Sequence, residues 1–316
     1  MEAPYAIGID IGGTTTKFGA VTKSGEILYQ DIIHTNQFSS VDLFVEELCN
    51  HLYAIIEKFG GSTNFAGIGI GAPNGNVYTG SIEYAPNLHW KGIIPLAELI
   101  KIKTGIYTRL TNDANAAAIG EMNYGCTQNI KHFIMITLGT GVGSGIIING
   151  NIVVGHDGFA GELGHTIIRP GGRLHSGTGM RGSLESYASA TGVRDTAIEL
   201  INNDPRPSTL RNYLKESITS QVVYDCAVNG DELANEVFEF TGKILGEALA
   251  NFVMFSSPEM IVLFGGLTKA GDLIMNPTRK SMEENLLPIF KNKVKLKISS
   301  LNESDAAILG ASALVF

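Results

Sequence analysis

Asp10 stands in an apolar run, Tyr5–Ile11. The chain then passes through Gly12 and Gly13 into Thr14, Thr15, Thr16 and Lys17, giving GIDIGGTTTKFGAV over residues 8–21. Backbone N–H groups in a glycine turn can approach phosphate oxygens closely. Threonine hydroxyls add donors, and a carboxylate at a strand end can hold Mg²⁺ directly or through water. A plain hairpin turn would explain two glycines alone. An aspartate, two glycines, a threonine and a lysine between two apolar strands are more specific, and they make Asp10, Gly12, Gly13, Thr14 and Lys17 candidates for binding a nucleotide phosphate and its Mg²⁺.

A second strand–turn–strand, ITLGTGVGSGII (136–147), carries Gly139, Thr140 and Gly141. Such a run is weak evidence alone. As the partner of the first loop, it would grip a polyphosphate from the other side of a cleft. In LFGG (263–266), Gly265 and Gly266 remove side chains where a flat ligand such as adenine can lie, although a strand-to-helix turn explains them too.

In LTNDANAAAIGE (110–121) a strand gives way to Asn112 and Asp113 at a helix start. The helix dipole favours a carboxylate there, so Asp113 is expected to be ionised at neutral pH with an ordinary pKa. It can then accept a proton from a substrate hydroxyl while Asn112 positions a neighbouring one. Phosphoryl transfer needs mainly positioning and charge neutralisation, so such a base suffices. Helix capping is the competing role for either residue. In GELGHTIIRPGGRLHSGTGMRGSLESYAS (161–189), Glu162, His165 and Glu185 are polar groups suited to a polyol. His165 alone would read as a structural histidine.

The elements that must hold these residues follow from periodicity and punctuation. Strands are expected at Tyr5–Ile11, Phe18–Val21, Glu26–Thr35, Ala66–Gly71, Tyr107–Leu110, Phe133–Leu138, Ser144–Ile148, Asn151–Val154, Met260–Phe264 and Lys293–Ser299. Helices are expected at Ser40–Phe59, Ile93–Thr104, Asp113–Tyr124, Leu184–Ala190, Ser208–Ser217, Ser220–Asn229, Asp231–Phe255 and Ala306–Phe316, with 72–90 irregular. Alternating strands and helices predict an α/β fold, and the restarted strand–turn–strand hints at duplication.

At 316 residues the chain should form two domains, given roughly 100–200 residues per domain. Hydrophobic residues make up 44% and charged ones 17%, enough for a large core. A net charge of −8 argues against a nucleic-acid backbone binder. The three cysteines, Cys49, Cys126 and Cys226, offer neither a disulfide framework nor a paired metal motif. No signal peptide or membrane span is read, so a cytoplasmic protein with no membrane partner is expected.

Together these segments resemble the ROK family of sugar kinases and sugar-responsive repressors, within the actin-like ATPase superfamily. The ordered set of D-x-G-G-T, N-D-A-N-A-A-A, L-G-T-G-V-G, E-x-G-H and the later G-G carries the likeness. The resemblance implies two actin-like (ribonuclease H-like) α/β domains flanking a central cleft, with residues 1–111 plus a C-terminal helix at about 303–316 in one and 112–302 in the other. It implies an ATP- and Mg²⁺-dependent hexose kinase acting on the 6-hydroxyl of glucose. N-acetylmannosamine, N-acetylglucosamine, fructose and allose remain open as substrates. Asp113 corresponds to the catalytic base. Asn87, Asn112, Asp113, Glu162, His165 and Glu185 correspond to sugar ligands, and Gly12, Gly13, Thr14, Gly139, Thr140, Gly265 and Gly266 to nucleotide contacts. Family habit suggests a homodimer.

One departure stands out. Where the family's zinc motif reads C-x-C-G-x-x-G-C-x-E, this chain has Ser176, Thr178 and Ser183 in place of the cysteines. Hydroxyls are poor zinc ligands, so no zinc site is expected, and a hydrogen bond from Ser176, Thr178 or Ser183 is expected to orient His165 instead. The rivals are a repressor, disfavoured because the first strand begins near Tyr5, and a sugar-binding pseudokinase.

Overall fold

The computed structural model describes residues 3–316. The chain begins with β1 (Tyr5–Ile11), β2 (Thr16–Thr22), β3 (Ile27–Ile33), α1 (Val41–Lys58) and β4 (Phe65–Ala72). Three short strands follow, β5 (Gly75–Asn76), β6 (Ser81–Glu83) and β7 (Ile93–Ile94), then α2 (Leu96–Thr104), β8 (Thr108–Asn112) and α3 (Asp113–Tyr124). Next come β9 (Phe133–Leu138), β10 (Val142–Ile148), β11 (Asn151–Ile152), α4 (Glu185–Ala188), α5 (Ala190–Asn203), α6 (Ser220–Val228) and α7 (Glu232–Ser256). β12 (Met260–Phe264), α8 (Asp272–Asn285), β13 (Lys295–Ile298) and α9 (Glu303–Ser312) complete it, so the class is α/β as expected.

Contacts divide the chain into two compact units. The first holds the described residues up to Lys131 with Gly145–Gly161 and Ser299–Phe316; the second holds His132–Ser144 and Glu162–Ile298. These units are drawn differently from the boundary expected at residue 111, because α3 packs against α9. A Cβ on Gly310 would stand 2.2 Å from the Ala116 carbonyl oxygen.

In the first unit the strand order is β3-β2-β1-β4-β8. β1 is antiparallel to β2 and parallel to β4, which is parallel to β8. The carboxyl ends of β1, β4 and β8 therefore lie on one edge, where ligands of open α/β sheets bind. Helix α1 starts where Ser40 Oγ accepts the Leu43 N–H at 3.3 Å. It buries Phe44, Val45, Leu48, Cys49, Leu52, Ile55 and Ile56, a single face of a 3.6-residue repeat. Helix α9 lies on β1 and β4, where a Cβ on Gly8 would meet the Ile308 carbonyl oxygen at 2.0 Å.

The other five-stranded sheet, β11-β10-β9-β12-β13, repeats the strand order of the first, with β12 parallel to both β9 and β13. Helices α5 and α8 are additions to the expected set. Gly192 in the first turn of one and Pro277 inside the other obscure their periodicity. Two other expectations need correcting. Ser208–Ser217 forms two short 3₁₀ turns, and the helix expected from Ile93 begins at Leu96, with Ile93–Ile94 paired to β6. Among the described residues no helix is long and apolar enough to cross a membrane.

Candidate active site

In the first unit, the ends of β1 and β8 carry two aspartates. Asn112 caps α3, its Oδ1 accepting the N–H groups of Ala114 at 2.8 Å and Asn115 at 3.3 Å. This leaves the Asn112 amide NH₂ as the group free of capping duty. Asp113 occupies the first helical position and its Oδ1 also accepts the Ala114 N–H, at 2.8 Å. Both neighbours thus accept N–H groups of the first turn of α3.

Asp113 keeps solvent-accessible surface. The protein atoms packed around its carboxylate disfavour the charged form, and this desolvation raises its pKa although the residue is exposed. The bonds from Ala114 and its own backbone act the other way and are outweighed. The expectation of an ordinary pKa is corrected here, because crowding prevails over the helix start. Asp10 is raised to about 6, first by desolvation and then by the charge of Asp113, with Lys17 opposing both.

Residues 12–15 form a closed turn in which the Gly12 N–H donates to the Thr15 carbonyl at 2.9 Å. Lys17 is the register partner of Asp10 across β1 and β2. A Cβ on Gly13 would stand 2.5 Å from the Asn87 carbonyl oxygen, so the turn and the Asn87 segment touch backbone to backbone. Thr14 and the Asn87 side chain are exposed.

In the second unit, the turn after β9 is braced from behind. The Gly139 N–H donates to the Gly141 carbonyl at 3.0 Å, the Ala190 N–H to the Gly139 carbonyl at 2.9 Å and the Thr191 hydroxyl to the Thr140 carbonyl at 3.2 Å. No heavy atom lies within 4 Å of a Cβ placed on Gly139. Gly265 follows β12 with φ of 103°, a left-handed conformation that favours glycine, and its added Cβ would be 2.7 Å from the Leu138 carbonyl oxygen. Both turns thus lie at the carboxyl ends of adjacent parallel strands, and Gly266 is exposed beside them.

Glu162 and His165 bracket a short turn over Leu163–His165, with His165 Nε2 at 3.7 Å from Glu162 Oε2. His165 Nδ1 is buried with no hydrogen-bond partner. The bond expected from Ser176, Thr178 or Ser183 is absent. Thr178 Oγ1 is instead 3.0 Å from His175 Nδ1, Ser183 Oγ is 2.9 Å from Ser186 Oγ, and Ser176 is exposed. Glu185 begins α4, its Oε2 accepting the Val142 N–H at 2.7 Å.

Asp10, Gly12, Gly13, Thr14, Lys17, Asn87, Asn112 and Asp113 accordingly belong to the first unit, and Gly139, Thr140, Gly141, Glu162, His165, Glu185, Gly265 and Gly266 to the second. Val142 and His175, which both contact the Glu185 carboxylate, lie outside the set of site residues expected from the sequence. The available signal was a histidine ten residues before Glu185 in a glycine-punctuated run.

Residues 6–316 match the model of the ROK family, and the chain belongs to it. It is 35% identical over 321 residues to a glucokinase of Halalkalibacterium halodurans, spanning 100% of this chain and 96% of that one. A crystal structure of a ROK family glucokinase from Streptomyces griseus, in complex with glucose and AMPPNP, matches with a TM-score of 0.81 at 30% identity, over 98% of this chain and 99% of that one. A xylose repressor of Bacillus spizizenii is 28% identical over 99% of this chain but only 77% of the repressor. Within the family the chain is glucokinase-like, with serine and threonine at the three zinc-cysteine positions.

Proposed function

We propose that the protein is an ATP-dependent hexose kinase that transfers the γ-phosphoryl group of ATP to the 6-hydroxyl of glucose. The observation that carries this is the pair of carboxylates with raised proton affinity, Asp10 and Asp113, at the carboxyl edge of one sheet beside a glycine turn. The likeness to a glucokinase crystallised with glucose and an ATP analogue supports the choice of substrates.

In this mechanism Asp113 accepts the proton of the sugar O6 as that oxygen bonds to the γ-phosphorus. The bond from phosphorus to the β–γ bridging oxygen breaks, and ADP leaves with the electron pair. A raised pKa makes Asp113 a stronger acceptor than an ordinary carboxylate. Asn112, through its free NH₂, with Asn87, Glu162, His165 and Glu185, would hold the remaining hydroxyls. The turns at Gly12–Thr14 and Gly139–Gly141, with Lys17, would receive phosphates, and Gly265–Gly266 the adenine.

Two desolvated carboxylates, with Lys17 as the cation that opposes the shift of Asp10, suit a divalent ion, and Asp10 would hold Mg²⁺. When bound, the ion supplies neutralisation of phosphate charge. Measuring ADP release over glucose, N-acetylmannosamine, N-acetylglucosamine, fructose and allose tests the reading. Glucose is expected to give the highest kcat/KM; sugar binding without turnover on any of them would refute it. The xylose repressor's similarity motivates a regulator as second reading, and sugar-dependent DNA retention without ADP release would favour that.

A further inference from the structure

Glu185 is held at both carboxylate oxygens. Oε2 accepts the Val142 N–H, and a Cβ on Gly141 would stand 2.4 Å from that oxygen, so the glycine leaves the space the carboxylate fills. Oε1 lies 3.1 Å from His175 Nε2. The other ring nitrogen, Nδ1, is 3.0 Å from Thr178 Oγ1, which accepts the Met180 N–H at 3.3 Å.

These neighbours set the direction of each bond. The Glu185 carboxylate can only accept, so Nε2 is the ring nitrogen that donates, and Nδ1 of a neutral ring is left to accept the Thr178 hydroxyl. The neutral ring then carries its hydrogen on Nε2, aimed at Glu185. The hairpin carrying the ring is itself anchored. Leu174 is bridged to Arg181, the His175 N–H donates to the Met180 carbonyl at 2.8 Å, and Arg173 is fixed to the residues that follow Glu185. The side chains of His175 and Glu185 are 19% and 12% exposed, so water competes weakly for the pair.

We propose that His175 is a positioning residue for the sugar. Through the chain Met180–Thr178–His175 it fixes the Glu185 carboxylate so that the remaining lone pairs point where hydroxyls must bind. Its loss therefore weakens sugar binding while sparing nucleotide binding and the chemical step. This rests on Glu185 being a sugar ligand, as in the kinase reading above. An enzyme side chain left free to rotate loses the geometry it was pre-set for, even when the reacting groups are intact.

The test compares His175→Leu with His175→Gln, whose amide N–H can replace the Nε2 donor. In His175→Leu the glucose KM should rise about tenfold, equivalent to about 1.4 kcal/mol. The ATP KM should stay within about twofold and kcat within about threefold, the pattern of lost uniform binding. His175→Gln should recover most of the glucose KM, and adding His175→Leu to a Glu185→Gln enzyme should change it little further. An unchanged glucose KM in His175→Leu, an equal rise in both KM values, or no recovery in His175→Gln would overturn the proposal. If the wild type turns over no hexose, the kinase reading fails separately. The pair is then read by ¹⁵N NMR of His175, where a neutral Nε2–H tautomer perturbed by Glu185→Gln supports the proposal and an Nδ1–H tautomer overturns it.

Discussion

Asp10 lies close enough to Asp113 for the second carboxylate's charge to add to burial in raising the first, from 3.8 to about 6. Between those two values the folded protein holds a proton that the unfolded chain has released. The stabilising contribution of this group is complete below pH 3.8 and is lost as pH rises through about 6. A bound cation favours the ionised form, so binding of Mg²⁺–ATP at pH 6 should release about half a proton from this site. Calorimetry in buffers of different ionisation enthalpy measures that release, and Asp10→Asn should abolish it. Binding with no proton exchange from pH 5 to 7 would remove Asp10 from the nucleotide site.

Asp113→Asn keeps the shape at the start of α3 while removing the proton acceptor. We expect kcat to fall by about 10²–10⁴ while the glucose Kd stays within a few-fold. Single-turnover kinetics alongside equilibrium glucose titration separate these effects. Normal turnover in the variant would refute the assigned role.

The two glycine turns should respond differently to one methyl group. Gly139 has open space around a Cβ, so Gly139→Ala should change stability by no more than about 0.5 kcal/mol. It should still raise the ATP KM by crowding the phosphates. Gly13→Ala must push back the Asn87 backbone and is expected to raise both the glucose and ATP KM values. Gly139→Ala with an unaltered ATP KM would show that its turn does not contact the nucleotide.

Arg173 ties the hairpin to α4 and α5. Its guanidinium donates to the carbonyls of Ser186 at 2.7 Å and Gly192 at 3.1 Å, to Thr196 Oγ1 at 3.0 Å and to both oxygens of Glu199. It also lies 4.7 Å from the Tyr187 ring centroid. Arg173→Ala strands these acceptors and should cost about 2–4 kcal/mol in urea unfolding. Arg173→Lys should recover little, because an ammonium lacks the planar fork. Full recovery by lysine would mean that charge alone matters here.

Much of this architecture is legible from residue order because sharp punctuation brackets the key elements. β1, α3, β9 and β12 match their expected limits to the residue, each bounded by glycine or by Asn112. Helices α5 and α8 escape because Gly192 and Pro277 carry helix-breaking propensities that tertiary packing overrides. In α8, Pro277 fits against Gly242 of α7. The raised pKa of Asp113 is invisible locally, since its neighbours in sequence lower it and crowding from elsewhere raises it. His175 escapes for a similar reason, its partner Glu185 being reached only through the fold of the hairpin.

The seating of α9 on β1 also sets an order of events during synthesis. The strand bearing Asp10 is made first, but the helix that covers Gly8 and Gly69 is translated after all of residues 162–298. At about 5–20 residues per second, β1 waits roughly 15–60 s for that cover. The second unit can therefore consolidate while the first sheet still exposes an apolar face to chaperones and to other nascent chains. Because β1 leads directly into the turn at residues 12–15, that turn should gain its final support only once α9 has been made.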